Sequence, residues 1–144
     1  MQIKIKKLDE KAVIPQYAKE GDAGVDLTVT SIEEKNEFYE VKFGLAVEIP
    51  QGYFGMIVSR SGITKMNHIL KNGVGIIDSG YRGELVARFK KVKFEDGSQE
   101  KVYQIGERAA QLLIIPYPQI IFKEVSELSE TERGQGGFGS TSKI

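Results

Sequence analysis

Alternation is what most constrains this chain. From Val41 to Ile49 the sequence VKFGLAVEI sets Val41, Phe43, Leu45, Val47 and Ile49 on one side of an extended backbone and Lys42 and Glu48 on the other. That period of two marks a half-buried antiparallel strand. IKIKKL at Ile3 to Leu8 and KVYQI at Lys101 to Ile105 read the same way, while LLIIP and QIIFKEV, starting at Leu112 and Gln119, are short apolar runs suited to buried strands. IPQG at 49 to 52, EDGSQE around Asp96 and Gly97, and PYP at 116 to 118 mark turns. Only Ser61 to Leu70 admits a short helix, with Ser61 or Thr64 as caps. Many short strands in 144 residues predict a single all-β domain, either a barrel or a jelly-roll sandwich, with no internal repeat.

Charge and residue usage narrow the function. Lysine plus arginine equals aspartate plus glutamate at 20 each, so no global field draws the chain to nucleic acid or to a membrane, and any anion site must be local. Without cysteine there are no disulfides or thiolate metal sites, and the lone His68 cannot build a zinc site by itself. The start MQIKIKKLDE lacks the apolar region of a signal peptide, and no apolar run approaches the roughly 18 residues of a spanning helix. The expectation is a soluble, intracellular, cytoplasmic protein.

Five segments carry more glycine and charge than the strands need. In DAGVDLTV, Asp22 to Val29, Asp26 sits between the apolar Val25 and Leu27 and reads equally as a cap where a turn enters a strand. In SRSGI, Ser59 to Ile63, an arginine, a hydroxyl and a glycine end an apolar run. They can offer N–H groups and a bidentate cation to a phosphate, or simply begin a helix. NGVGIIDSGYRGE, Asn72 to Glu84, has the composition of a β-hairpin whose Asp78 makes an Asx-turn. It also sets a carboxylate three residues before an aromatic ring, where one could hold a water and the other a flat ligand. GERAAQLLI, Gly106 to Ile114, turns at Gly106 and Glu107 into a strand on which Arg108 and Gln111 each need a partner if buried. The chain ends in RGQGGFGSTSKI, where four glycines surround Arg133, Phe138, Ser140 and Thr141. A frayed terminus is the ordinary reading of such a tail, but it does not account for an arginine, a ring and a hydroxyl pair set in glycine.

Taken in order, AGVDL, RSG, GIIDSGYRGE, GERAAQL and RGQGGFGST, from Ala23 to Thr141, resemble the five motifs of the trimeric dUTP diphosphatases. One such motif is weak; five in register over nearly the whole chain are specific. The resemblance implies a jelly-roll β-barrel over residues 1–130 and a flexible arm over 131–144. It also implies a homotrimer whose active sites are shared between subunits, with no membrane or nucleic-acid partner. The implied reaction is hydrolysis of dUTP to dUMP and pyrophosphate, which limits dUTP and supplies dUMP for thymidylate synthesis. Regulatory protein partners are not deducible.

The same resemblance assigns roles. Asp78 would be the general base for a water attacking the α-phosphorus, and Gln111 a polar contact to that water and phosphate. Asn72, Gly75, Ile76 and Ile77 would hold uracil, largely through backbone groups, and Tyr81 would lie against the deoxyribose where a 2'-hydroxyl collides. Arg60, Ser61 and Gly62 would face the phosphates. Mg2+ would bridge the phosphates and meet Asp26 through waters. Glu107 and Arg108 would be structural. The arm would close over bound nucleotide, with Phe138 stacking on uracil and Arg133, Gly139, Ser140 and Thr141 donating to phosphate oxygens. Gly80, where many relatives are acidic, and Ser142, where a glycine is common, depart from the pattern permissively.

Two rivals stand beside this reading. A dCTP deaminase of the same fold would carry an arginine and a glutamate where this chain has Thr64 and Arg88. A dUTP-responsive binding or regulatory module would keep the pocket without needing the chemistry. The charged segment from Lys91 to Gln104 reads as a solvated hairpin.

Overall fold

The computed structural model describes residues 1–66, 68–92 and 102–137. The expected turn at Asp96 and Gly97, most of the Lys91 to Gln104 hairpin, and Phe138, Gly139, Ser140 and Thr141 lie outside the described residues.

The described residues form ten strands: β1 (Lys4–Lys7), β2 (Val25–Thr28), β3 (Ser31–Glu34), β4 (Phe38–Lys42), β5 (Leu45–Glu48), β6 (Tyr53–Ser59), β7 (His68–Leu70), β8 (Gly75–Ile77), β9 (Val86–Lys91) and β10 (Arg108–Pro116). They form two four-stranded sheets, β2-β10-β6-β8 and β3-β4-β9-β7, and a small β1-β5 pair. Every pairing is antiparallel. The many short strands predict an all-β barrel or sandwich, and this is the jelly-roll arrangement that the resemblance implies. The core lies between the larger sheets, where Leu27, Ile57, Ala110 and Leu112 from one meet Tyr39, Val41, Ala87 and Phe89 from the other, all buried. Tyr39, Phe89, His68 and Tyr103 close one part of that core as a run of edge-on, tilted and stacked rings with centroids 5.0–6.4 Å apart.

The structure corrects the strand reading in several places. Val41, Phe43, Leu45, Val47 and Ile49 are all buried, yet they do not share one strand. The chain bends at Gly44, which takes φ 63°, and passes from one large sheet into the small one. Leu85 braces the corner, accepting from the Phe43 N–H at 3.3 Å and donating to the Leu45 carbonyl at 2.8 Å. A Cβ at Gly44 would stand 2.7 Å from that of Asp9, so this corner needs glycine both for conformation and for room.

Ser61 to Leu70 is not one helix: a single 3-10 turn, Ser61–Lys65, precedes β7, and neither Ser61 nor Thr64 caps it from the N-cap position, which Arg60 occupies. Val102 to Gln104 joins no ladder, because Tyr103 turns inward to the ring cluster instead. Gln119 to Val125 is neither a strand nor buried; Ile121 and Phe122 are 94% and 90% exposed.

Candidate active site

Two groups of the expected site residues are assembled, and they are assembled apart. The first is charged and sits on the outer face of the β2-β10-β6-β8 sheet. Asp26 alternates with the core residue Leu27 and so points outward, opposite Gln111, which in turn pairs with Val58. Arg60, at the end of β6, donates from Nε to Asp26 Oδ1 at 2.7 Å, and Arg108 donates from Nη1 to Oδ2 at 3.1 Å. The carboxylate side chain is only 15% exposed, so the guanidinium groups supply the polar contacts that water would otherwise make. Arg60 Nη1 also reaches the Arg108 carbonyl at 3.4 Å. Asp22, Gly24, Asp26, Arg60, Arg108 and Gln111 line a cavity of about 380 Å³. Ser61 and Gly62 follow Arg60 directly and are exposed.

Simple alternation places Arg108 and Gln111, three residues apart, on opposite faces. A register shift between Arg108 and Ala110 breaks that alternation and lets both residues join Asp26. Such bulges re-aim side chains beside functional sites. Arg108 is therefore a holder of Asp26, as a structural role implies. The motif itself was legible, but the partnership depends on a bulge that no residue pattern announces. Glu107 Oε2 accepts from the Gln104 N–H at 2.9 Å.

The second group lies at the other edge of the same sheet. Asn72 to Tyr81 is not a hairpin pairing on itself, for β7 before it joins β9 and β8 within it joins β6. The segment is an arch from one sheet to the other. Its crown turns at Gly73, with φ 67°. Beneath it, Asn72, Gly75, Ile57, Leu70 and the backbone neighbourhood of Ala87 and Arg88 line a cavity of about 330 Å³. Gly75 faces inward, where a Cβ would stand 3.3 Å from that of Ile57 and 3.5 Å from Asn72 Nδ2. Ile76 points outward and is 57% exposed, while Ile77 is half-buried.

After β8 the chain turns from Asp78 to Tyr81 through a main-chain bond, the Tyr81 N–H donating to the Asp78 carbonyl at 3.0 Å. Asp78 is exposed. Tyr81 Oη donates to the Glu84 carbonyl at 2.9 Å, and Arg82 Nη1 donates to the carbonyls of Ser79 and Tyr81 at 2.7 and 2.9 Å. The sequence reading passed over Gly83, Arg82 and Glu84; their signal was only their place within the longest motif. Arg133 joins neither group through its guanidinium, whose Nε donates to the Gly136 carbonyl at 3.0 Å within a turn of its own.

At the positions that separate the deaminase relatives, Thr64 Oγ1 donates to the Ser61 carbonyl at 2.8 Å and Arg88 Nε donates to Glu40 at 2.8 Å.

This geometry describes a β scaffold with a carboxylate held between two guanidinium groups beside one cavity and a separate arch over another. A family model described as dUTPase matches residues 10–142. The deoxyuridine 5'-triphosphate nucleotidohydrolase of Crocosphaera subtropica is 42% identical over 144 residues, covering 98% of this chain and 99% of the relative. That of Clostridium kluyveri is 39% identical over 146 residues, covering 98% of each. Among solved structures, the dUTPase of Staphylococcus bacteriophage 80alpha with dUPNHPP aligns with a TM-score of 0.83 at 32% identity, covering 99% of both chains. A mutant dUTPase from phage phi11 of S. aureus, solved with a structural Mg(II) ion, aligns at 0.74 with 27% identity over 88% of this chain and 98% of that one. The chain belongs to the dUTPase family.

Proposed function

We infer that this protein hydrolyses dUTP to dUMP and pyrophosphate, in an assembly where one copy supplies the base and sugar pocket and another the phosphate site. The observation that carries the reading is the Asp78 to Tyr81 turn, which holds a carboxylate and an aromatic ring on one short frame beside the cavity of Asn72 and Gly75, in a chain of this family. Exposed Asp78 orients a water and takes its proton as that water attacks the α-phosphorus. The bond from the α-phosphorus to the bridging oxygen breaks, and pyrophosphate leaves. Gln111 steadies the water and the phosphate, and Arg60, Ser61 and Gly62 receive the remaining phosphate charge. Backbone groups from Gly75 to Ile77 and the Asn72 amide pair with uracil. Cytosine would present a donor where an acceptor is needed, leaving buried groups unpaired.

Two features support a site shared between copies. Asp26 lies on β2 and the arch contains β8, the opposite edges of a four-stranded sheet, which puts these two strands about 14 Å apart at roughly 4.8 Å per strand. They also use opposite faces, since Asp26 and Gln111 point outward while Gly75 and Ile57 line the inner cavity. Ile120, Ile121, Phe122 and Leu128 stand exposed along the chain after β10, an apolar stretch that a neighbouring copy can bury. A homotrimer satisfies these demands, with the arm from 131 onward crossing to a neighbour and bringing Arg133, Phe138, Gly139, Ser140 and Thr141 over the nucleotide.

The residues fit Mg2+ carried in by the triphosphate. Among the described residues no cluster of three or more His, Cys, Asp or Glu forms a cage, and Asp26 offers the hard oxygen that an ion keeping its waters would meet. When bound, the ion supplies charge neutralisation along the phosphates. Among the described residues no helix is long and apolar enough to cross a membrane, and action on the cytoplasmic nucleotide pool belongs to this reading.

The test is pyrophosphate release from dUTP, dCTP, dTTP and UTP, with Mg2+ and with excess chelator, scoring ammonia from dCTP in parallel. Release from dUTP alone and only with the metal is the expected result. Ammonia from dCTP would make the protein a deaminase, and silence on every nucleotide would leave a binding module.

A further inference from the structure

The Tyr81 ring is 42% exposed, and its phenolic end is folded back over a residue that has no side chain. With Oη held by the Glu84 carbonyl, the ring crosses residue 83 so closely that a Cβ there would stand 2.3 Å from Oη, 2.5 Å from Cζ and 2.9 Å from Cε2. Separations under 3.0 Å are essentially never seen for a real Cβ, so any side chain at 83 displaces the ring. Gly83 is not one of the glycines with a left-handed backbone. The three atoms nearest to a Cβ there all belong to the Tyr81 side chain.

The frame around it is rigid. Arg82 ties the carbonyls of Ser79 and Tyr81 together, and Glu84 Oε1 accepts from the Gly44 N–H at 3.0 Å, which pins the end of the loop to the β4 to β5 corner. A wall that excludes one oxygen atom must be placed to within a fraction of that atom's width, and a loop that lets the ring drift loses the distinction before it loses the fold.

We propose that Gly83 is a specificity-determining residue: by letting the Tyr81 ring lie back onto the Glu84 carbonyl it sets the depth of the wall that tells deoxyribose from ribose. This rests on the reading of Tyr81 as the sugar wall. Gly83 and Glu84 are positioning residues and act through the ring.

The experiment compares kcat and KM for dUTP and UTP in the full chain and in Gly83→Ala, Tyr81→Phe and Tyr81→Ala, with thermal midpoints for each. In Gly83→Ala the ratio of kcat/KM for dUTP over UTP should fall about tenfold, with the loss on dUTP appearing mainly in KM because no reacting group is touched. Tyr81→Phe removes the anchoring hydroxyl without a clash and should lower the ratio about fivefold. Tyr81→Ala calibrates the wall itself. If Tyr81→Ala loses selectivity while a folded Gly83→Ala keeps it, the inference is overturned and the wall reading stands. If Tyr81→Ala keeps selectivity, the wall reading fails and the inference fails with it. Should Gly83→Ala not fold, Tyr81→Phe decides, and unchanged selectivity there overturns the proposal.

Discussion

The Asp26 cluster and the arch from Asn72 to Glu84 are built from opposite materials. Around Asp26 the geometry is held by charge: a largely buried carboxylate receives a guanidinium on each oxygen, one from Arg60 just after β6 and one from Arg108 at the start of β10. From Asn72 to Glu84 the geometry is held by main-chain bonds, by the left-handed turn at Gly73 and by missing side chains at Gly75 and Gly83, with Arg82 donating to carbonyls and not to a carboxylate. Binding a triphosphate calls for mobile cations that can exchange partners. Discriminating a base and a sugar calls for fixed shape, which backbone provides at less entropic cost than long side chains.

That contrast can be broken at several points. The largest effect expected is from Asp78→Asn, which should lower turnover of dUTP about 10³-fold while nucleotide binding, read by calorimetry, persists; normal turnover would remove Asp78 from the base role. Deleting Arg133 to Ile144 should leave a folded assembly by size-exclusion and circular dichroism with activity down about a hundredfold. Full activity of the truncated chain would end the lid reading. Gly44→Ala attacks the shape-held side through its anchor, combining a positive φ with a 2.7 Å clash, and should cost about 2 kcal/mol in denaturant unfolding at every salt concentration. Asp26→Ala attacks the charge-held side. Because its arginines are 29% and 55% exposed, the stability loss should be only about 1 kcal/mol and should shrink as salt rises. Equal salt dependence in the two variants would dissolve the distinction.

The sequence was most legible where a single period or a single motif decided the outcome. Val41, Phe43, Leu45, Val47 and Ile49 are all buried, as their alternation predicts, and Asp26 and Gln111 lie on strands, β2 and β10, that their motifs lead into. It was least legible where a neighbour in space overrode local pattern. Gly44 bends an unbroken alternation because Asp9 and Leu85 close a corner there. Gln119 to Val125 has strand composition and no strand, since nothing among the described residues covers it. Nothing in the residues around Gly83 marks it, because what it answers to is the Tyr81 ring lying across it in space. The bulge at Arg108 left no mark in residue type at all.

The placement of the two half-sites on opposite edges and faces of one sheet has a genetic consequence. On the reading that each site takes its arch and its Asp26 cluster from different copies, a defect in one and a defect in the other fall on different chains, so two dead alleles expressed together should complement. Mixing Asp78→Asn chains with Asp26→Ala chains, after unfolding and reassembly, should return sites in which both halves are intact. Two alleles damaged in the same half should return none.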